Sequence, residues 1–221
     1  MTTLQLVDNI YPPLRLHDTV AKALDLMAEF KTSFLPVISE EKYLGLINEQ
    51  SINEEENKET TTLEMFQEYL IVTAVNAASH FLKAASISNL YQTNVIPVTN
   101  ENNEFFGTIS SGALNTALGN FCGAEEYGAL IVLEIERVRF TISEINSIIE
   151  SDGATILHLN VSPHPVPELL EVTLQINKRE IAAILASFER YDYTISSYYG
   201  EELFENDIST NYQNLMNYLD I

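Results

Sequence analysis

Catalysis needs nucleophiles, bases or metal ligands at workable spacing, and this chain offers few. Its four histidines, His17, His80, His158 and His164, are scattered, with no spacing that repeats or closes on a cysteine. The single cysteine, Cys122, has no cationic sequence neighbour to lower its thiol pKa and reads as a packing residue. A phosphate-binding Walker loop, a dinucleotide fingerprint, a zinc-binding His-Glu-x-x-His and a nucleophile elbow are all absent from the sequence. Carboxylates are plentiful, yet nothing singles out one acid–base pair. The expectation is a protein that is not an enzyme and holds no metal.

Two places have the chemistry of binding. Ser110 stands just ahead of a helix expected from about Ser111, where a hydroxyl and free helix amides attract anions. Arg137 and Arg139 form one of the few basic spots, ahead of a helix expected from about Ile142. A carboxylate ligand could sit on Arg139 with those amides; equally, both arginines could simply pair with surface acids.

Charge restricts the partners. The 221 residues carry 32 Asp and Glu against 11 Lys and Arg, a formal charge of −21. Nucleic acid and anionic membrane surfaces both require cations to replace counterions, so neither is expected as a partner. A hydrophobic share of 46 % argues against a disordered acidic chain. One cysteine cannot form an internal disulfide, which fits a reducing compartment or indifference to redox. The start, MTTLQLVDNI, has no basic stretch before an apolar core, and no apolar run approaches the roughly 18 residues of a membrane span. The expected location is the cytoplasm.

The elements that must position these groups come in duplicate. Shifting Ile10–Ile38 by 61 positions lays it on Ile71–Thr99, with identity at Ile10/Ile71, Lys22/Lys83, Ala23/Ala84, Thr32/Thr93, Pro36/Pro97 and Val37/Val98. After one inserted residue, Gly45 falls on Gly107. Each copy reads as a short extended piece (from Ile10; from Ile71), a helix, a proline-broken strand, a polar turn, a strand through glycine and a short helix. Asp18 and Ser79 are the expected N-caps of the first helices. Proline lacks an amide donor, so Pro36 and Pro97 belong on edge or irregular strands. Gly45 and Gly107 permit a close approach of backbone or ligand.

This β-α-β-β-α unit, given twice, resembles a tandem pair of cystathionine β-synthase (CBS) domains, the arrangement called a Bateman module. The motifs that carry the likeness are Phe34-Leu35-Pro36-Val37 with Gly45-Leu46-Ile47, and Val95-Ile96-Pro97-Val98 with Gly107-Thr108-Ile109. The resemblance implies a cleft for an adenosine derivative: AMP, ATP or S-adenosylmethionine. It implies a contact set of Thr73, Asn94, Val95, Ile96, Pro97 and Ser110, with Pro36 and Asn48 in the first copy. The carbonyls around Ile96 and Pro97 would read an adenine edge. The family places a hydroxyl for phosphate three residues after the strand glycine and a ribose-binding Asp three further on. Here those places hold Asn48 and Ser51 in one copy, Ser110 and Ala113 in the other. Neither copy keeps the Asp, and only Ser110 keeps the hydroxyl.

The first copy is taken as residues 1–57 and the second as 63–122, joined by the acidic run Asn53–Thr62, which reads as a solvated connection. The small-residue stretch Gly119 to Gly123 marks a domain junction. Residues 127–200 then read β-α-β-β-α-β, the split ferredoxin-like order. After a CBS pair, this resembles an ACT domain, and the combination is similar to acetoin-utilisation-type CBS–ACT regulatory proteins. That likeness implies an amino acid as a second kind of ligand, held near Arg139, although the loop before the first helix lacks the family's glycine. Residues 201–221 form an acidic tail with a helical stripe of Tyr212, Leu215, Met216 and Leu219. The fold class is therefore mixed α+β and α/β, a CBS pair plus an ACT-like domain. The functional expectation is a non-catalytic sensor that binds a small ligand, forms a homodimer and signals through its geometry to an unidentified protein partner. The alternative is a ligand-free scaffold with degenerate CBS sites.

Overall fold

A computed structural model describes residues 1–200; the acidic tail at 201–221 lies outside them. The chain divides into two compact units, Met1–Gly119 and a second beginning at Asn120. Among the described residues, no helix is long and apolar enough to cross a membrane.

The first unit holds the duplication. Its first repeat runs β1 (Leu14–Arg15), α1 (Val20–Glu29), β2 (Phe34–Ser39), β3 (Lys42–Asn48) and α2 (Glu49–Ile52). The second runs β4 (Val75–Asn76), α3 (Leu82–Tyr91), β5 (Val95–Thr99), β6 (Phe105–Ser110) and α4 (Ser111–Cys122). Each builds a three-stranded sheet, in the orders β1-β2-β3 and β4-β5-β6, with one parallel and one antiparallel pairing. The helix-to-strand turns match as well: Lys31 and Gln92, 61 positions apart, both take positive φ, 51° and 50°.

Local chemistry explains the elements. In α1, Val20, Ala23 and Met27 recur at helical spacing and are buried. Its cap is Thr19, one residue later than expected: the Thr19 side chain accepts from the Lys22 amide at 3.2 Å, while Asp18 pairs with the Lys22 ammonium at 2.6 Å. The expected cap Ser79 is also displaced, since α3 starts after Phe81 with no side-chain cap. The prolines sit in middle strands rather than at edges. They are tolerated because β1 and β4 are two residues long and begin pairing one position later, at Val37 and Val98, just before an irregularity in each ladder.

The two repeats exchange their lead-in segments. A 3-10 turn, Thr3–Leu6, packs with the second repeat: Thr3 is fully buried, its amide donates to the Ser79 carbonyl at 2.9 Å and its hydroxyl to that of Asn76 at 2.6 Å. Leu6 and Val7 join the second repeat's core around Val75, Phe81, Ile96 and Ile109. Conversely Leu63 and Phe66, from a 3-10 segment over Leu63–Tyr69, and Leu70 just after it join the first repeat's core around Leu14, Leu35, Val37 and Ile47. The acidic connection is more than a solvated strap. Its Lys58 and Thr61 carbonyls accept the Ala21 and Val20 amides, each at 2.9 Å, and so cap α1.

This exchange accounts for both strand glycines. A Cβ on Gly45 would lie 2.8 Å from Leu70 Cβ, and one on Gly107 would collide with Asn9 and lie 2.8 Å from Val7 Cγ1. Gly107 also has φ +141°, a conformation other residues rarely adopt. The close approach expected at these glycines is made by the chain's own lead-in segments, through Leu70 and the Ile71 carbonyl at Gly45 and through the Val7 and Asn9 side chains at Gly107.

The second unit comprises β7 (Ala129–Glu136), α5 (Ile142–Ser151), β8 (Ile156–Pro163), β9 (Leu169–Ile176), α6 (Ala182–Arg190) and β10 (Thr194–Tyr199). Its antiparallel sheet has the order β10-β7-β9-β8, the ferredoxin-like arrangement. Alternate residues of β7, Ala129, Ile131, Leu133 and Ile135, pack with Ile145, Ile148 and Ile149 of α5 and Ile184 and Phe188 of α6. Strand β8 reaches further than expected, through Pro163, which the sheet edge allows. Helix α6 starts at Ala182 rather than Lys178, whose ammonium binds the Asp152 carbonyl at 2.8 Å.

Candidate ligand site in the second repeat

The structure gathers most of the expected contact residues on one hairpin. Asn94 leads into β5, and along β5 and β6 Val95 pairs with Ser110, Ile96 with Ile109 and Pro97 with Thr108. Ile96 and Ile109 face the repeat's own core. Strand alternation therefore places Thr108 and Ser110 together on the opposite face. Pro36 occupies the matching position in β2, which touches β5, and pairs with Leu46. Val95, Ile96, Pro97, Pro36, Thr73 and Ser110 are all buried.

Most of the polar candidates are already engaged. The Ser110 hydroxyl donates to the Asp8 carboxylate and accepts the Ala113 amide at 3.1 Å, and the Ser110 amide points at the same Asp8 oxygen at 3.4 Å. Asp8 is held by two further bonds: its amide donates to the Thr108 carbonyl at 3.1 Å and its Oδ1 accepts the Ile10 amide at 3.4 Å; Tyr11 lies close enough to feel its charge. Burial, then that charge, raises the Tyr11 pKa, opposed by the bond from Asn94 Nδ2 to the Tyr11 oxygen at 3.1 Å. Asn94 Oδ1 accepts from Thr32 at 2.8 Å, a bond between the repeats. Asn48 caps α2, accepting the Gln50 amide at 2.8 Å. The Thr73 carbonyl accepts from the buried Tyr43 hydroxyl at 2.8 Å, and burial pushes that phenol's pKa well above its usual range.

Thr108 stands apart. Its side chain is fully buried, and its hydroxyl is the only such group without a hydrogen-bond partner among the described residues. The equivalent position in the first repeat is Leu46, whose amide and carbonyl exchange 2.9 Å bonds with Ile71.

Sequence reasoning missed Asp8 and Thr108. Asp8 lies outside the aligned repeat and 102 positions from Ser110, so no spacing pointed to it. The substitution of Thr108 for Leu46 was visible in the duplication and was the usable signal.

Arg139 belongs to the second unit. With Glu134, Glu136, Asp192 and Tyr193 it lines a cavity of about 140 Å³. Three carboxylates to one guanidinium make this a poor receptor for a carboxylate ligand. Arg139 donates to the Tyr191 carbonyl at 3.5 Å and Arg137 to that of Pro167 at 2.7 Å, so main-chain oxygens engage both. Tyr193 donates to Glu144 at 2.6 Å; burial first, and this carboxylate second, raise its pKa far above the usual value. Among the described residues, no group of three or more His, Cys, Asp or Glu is placed to hold a metal ion.

Residues 9–56 match the family model of the CBS domain. Among solved structures, a CBS domain pair/ACT domain protein from Thermotoga maritima is 18 % identical with a TM-score of 0.50, over 55 % of this chain and 98 % of that one. The CBS domains of a transcriptional regulator from Streptococcus pneumoniae are 19 % identical with a TM-score of 0.45, over 52 % of this chain and 98 % of that one. At such identities a likeness speaks to fold alone. With the duplicated topology, it gives the first unit the fold of a CBS-domain pair.

Proposed function

We propose that this protein is a non-catalytic regulatory sensor whose ligand, an adenosine derivative, binds on the Thr108–Ser110 face of the second repeat. The observation that carries the reading is the Thr108 hydroxyl, buried and unbonded where the first repeat has Leu46. An unsatisfied buried hydroxyl costs about 1–3 kcal/mol, and a ligand that bonds it recovers that cost. Asn94, the Pro97 strand and Ser110 supply the neighbouring polar groups.

Because these residues are buried, a ligand must part the two sheets or displace the segment around Asp8. Ligand-free and bound states then differ in shape, which is what a sensor requires: a ligand shifts an equilibrium only by favouring one state. In a homodimer such a change would alter subunit geometry and reach a protein partner.

A thermal-shift screen with adenosine, AMP, ATP, S-adenosylmethionine and amino acids tests this. A true ligand stabilises by about 2.7 kcal/mol at 100-fold saturation, and Thr108→Val should abolish the response. No shift with any compound, and no small molecule co-purifying by mass spectrometry, would sink the sensor reading. The second reading, a ligand-free scaffold, draws support from the internal partners already found for Ser110, Asn48 and Asn94.

A further inference from the structure

The start of α4 is a place where donors converge on an anion, and the anion present is the protein's own. The Ser110 hydroxyl and amide both address Asp8 Oδ2. Helix α4 has 12 residues, and its N-terminal dipole favours negative charge there. Asp8 is fixed by the Thr108 carbonyl on one side and the Ile10 amide on the other. Two residues along the same face of β6 lies the orphaned Thr108 hydroxyl.

We infer that Asp8 is a specificity-determining residue: its carboxylate takes the anion position beside Ser110 and closes it to phosphate, so the second repeat selects ligands that bring no phosphate there. A phosphate oxygen and the Asp8 carboxylate would need the same two donors, and two anions at hydrogen-bonding distance repel each other strongly away from bulk water. A neutral or cationic ligand meets the opposite situation. Its hydroxyl or amine donors find an acceptor in Asp8, while the Thr108 hydroxyl gains a partner. The ligand class is thus a nucleoside or a sulfonium-bearing nucleoside rather than a nucleotide. The choice of an adenine-type compound rests on the proposed function; the exclusion of phosphate rests on Asp8 alone.

The experiment uses inorganic phosphate as the probe, titrated by calorimetry into wild type, Asp8→Asn and the Asp8→Asn/Ser110→Ala double variant of the full chain. Asp8→Asn removes the charge and leaves a neutral side chain that phosphate can displace from the Ser110 donors. It should bind phosphate about tenfold or more tightly than wild type, and Ser110→Ala in that background should reverse the gain. Equal phosphate binding by wild type and Asp8→Asn, weak or tight, would overturn the inference. A parallel arm compares adenosine with AMP in wild type, where AMP stabilising as well as adenosine would overturn it even if Asp8→Asn failed to fold. A gain of phosphate binding in Asp8→Asn without any adenosine response in wild type would uphold the role of Asp8 and defeat the adenosine reading. An adenosine response with no effect of Asp8→Asn on phosphate would do the reverse.

Discussion

The two repeats share a topology and differ in what they place between their sheets. In the first repeat that face holds Leu46, tied on both sides to Ile71, and Asn48 is spent capping its own helix. In the second it holds Thr108, Ser110 and a carboxylate borrowed from the N-terminal segment. Duplication supplied one scaffold twice. The apolar version contributes cohesion, and the polar version gives up some cohesion to keep hydrogen-bonding groups inside. The difference teaches that polarity at a buried position, more than the strand proline or glycine common to both copies, sets the two repeats apart.

The contrast is broken most severely by separating the copies. A chain ending at residue 57 lacks Leu63, Phe66 and Leu70, which belong to the first core, and should show no cooperative thermal transition by circular dichroism. Next in size is Leu63→Ala in the full chain. Leu63 is 1 % exposed, and the cavity should cost about 2–5 kcal/mol in chemical denaturation. The glycines come third. Gly107→Ala combines a collision with the Asn9 side chain and a positive φ, so it should cost roughly 2–3 kcal/mol; Gly45→Ala, whose new methyl would be crowded by Leu70 Cβ at 2.8 Å but carries no positive φ, should cost less.

A smaller effect of opposite sign sharpens the comparison. Thr108→Val removes the unbonded hydroxyl and should raise stability by about 1 kcal/mol while removing any ligand response. If Thr108→Val is destabilising, the hydroxyl is satisfied in solution and the polar reading of the second repeat weakens. The smallest effect is a titration. The Tyr43 pKa is raised by burial above the ordinary 10.0, so the unfolded chain loses this proton first as pH climbs. Its contribution is complete below about pH 10 and falls above it. Tyr43→Phe should flatten that decline in stability measured between pH 9 and 11, and absorbance should show Tyr43 ionising only on unfolding.

Much of this architecture was legible because it was written twice. Lys22 on Lys83, Thr32 on Thr93 and Pro36 on Pro97 fixed the register, and alternating isoleucines and leucines in β7 and β9 gave the second sheet. Those are local periodicities, which a linear reading captures. The exchanged segments were not legible, because Leu6 and Leu63 look alike whichever core receives them. Helix starts slipped by a residue or more: Thr19 rather than its neighbour Asp18 caps α1, and α3 and α6 begin at Leu82 and Ala182 with no side-chain cap to mark them. At the candidate site, the sequence exposed the loss of the ribose Asp at Ala113. It could not show that another carboxylate arrives from far along the chain.

That crossing of lead-in segments also bears on how the chain acquires its shape. Thr3 finds the Asn76 carbonyl 73 positions away, and Asp8 finds Ser110 across 102. During synthesis Thr3 must therefore wait for Asn76 and Asp8 for Ser110, while the first copy stays unfinished until the connecting run is made. Long loops must close before these contacts form, so the first unit should assemble late and slowly, as a single interlocked event.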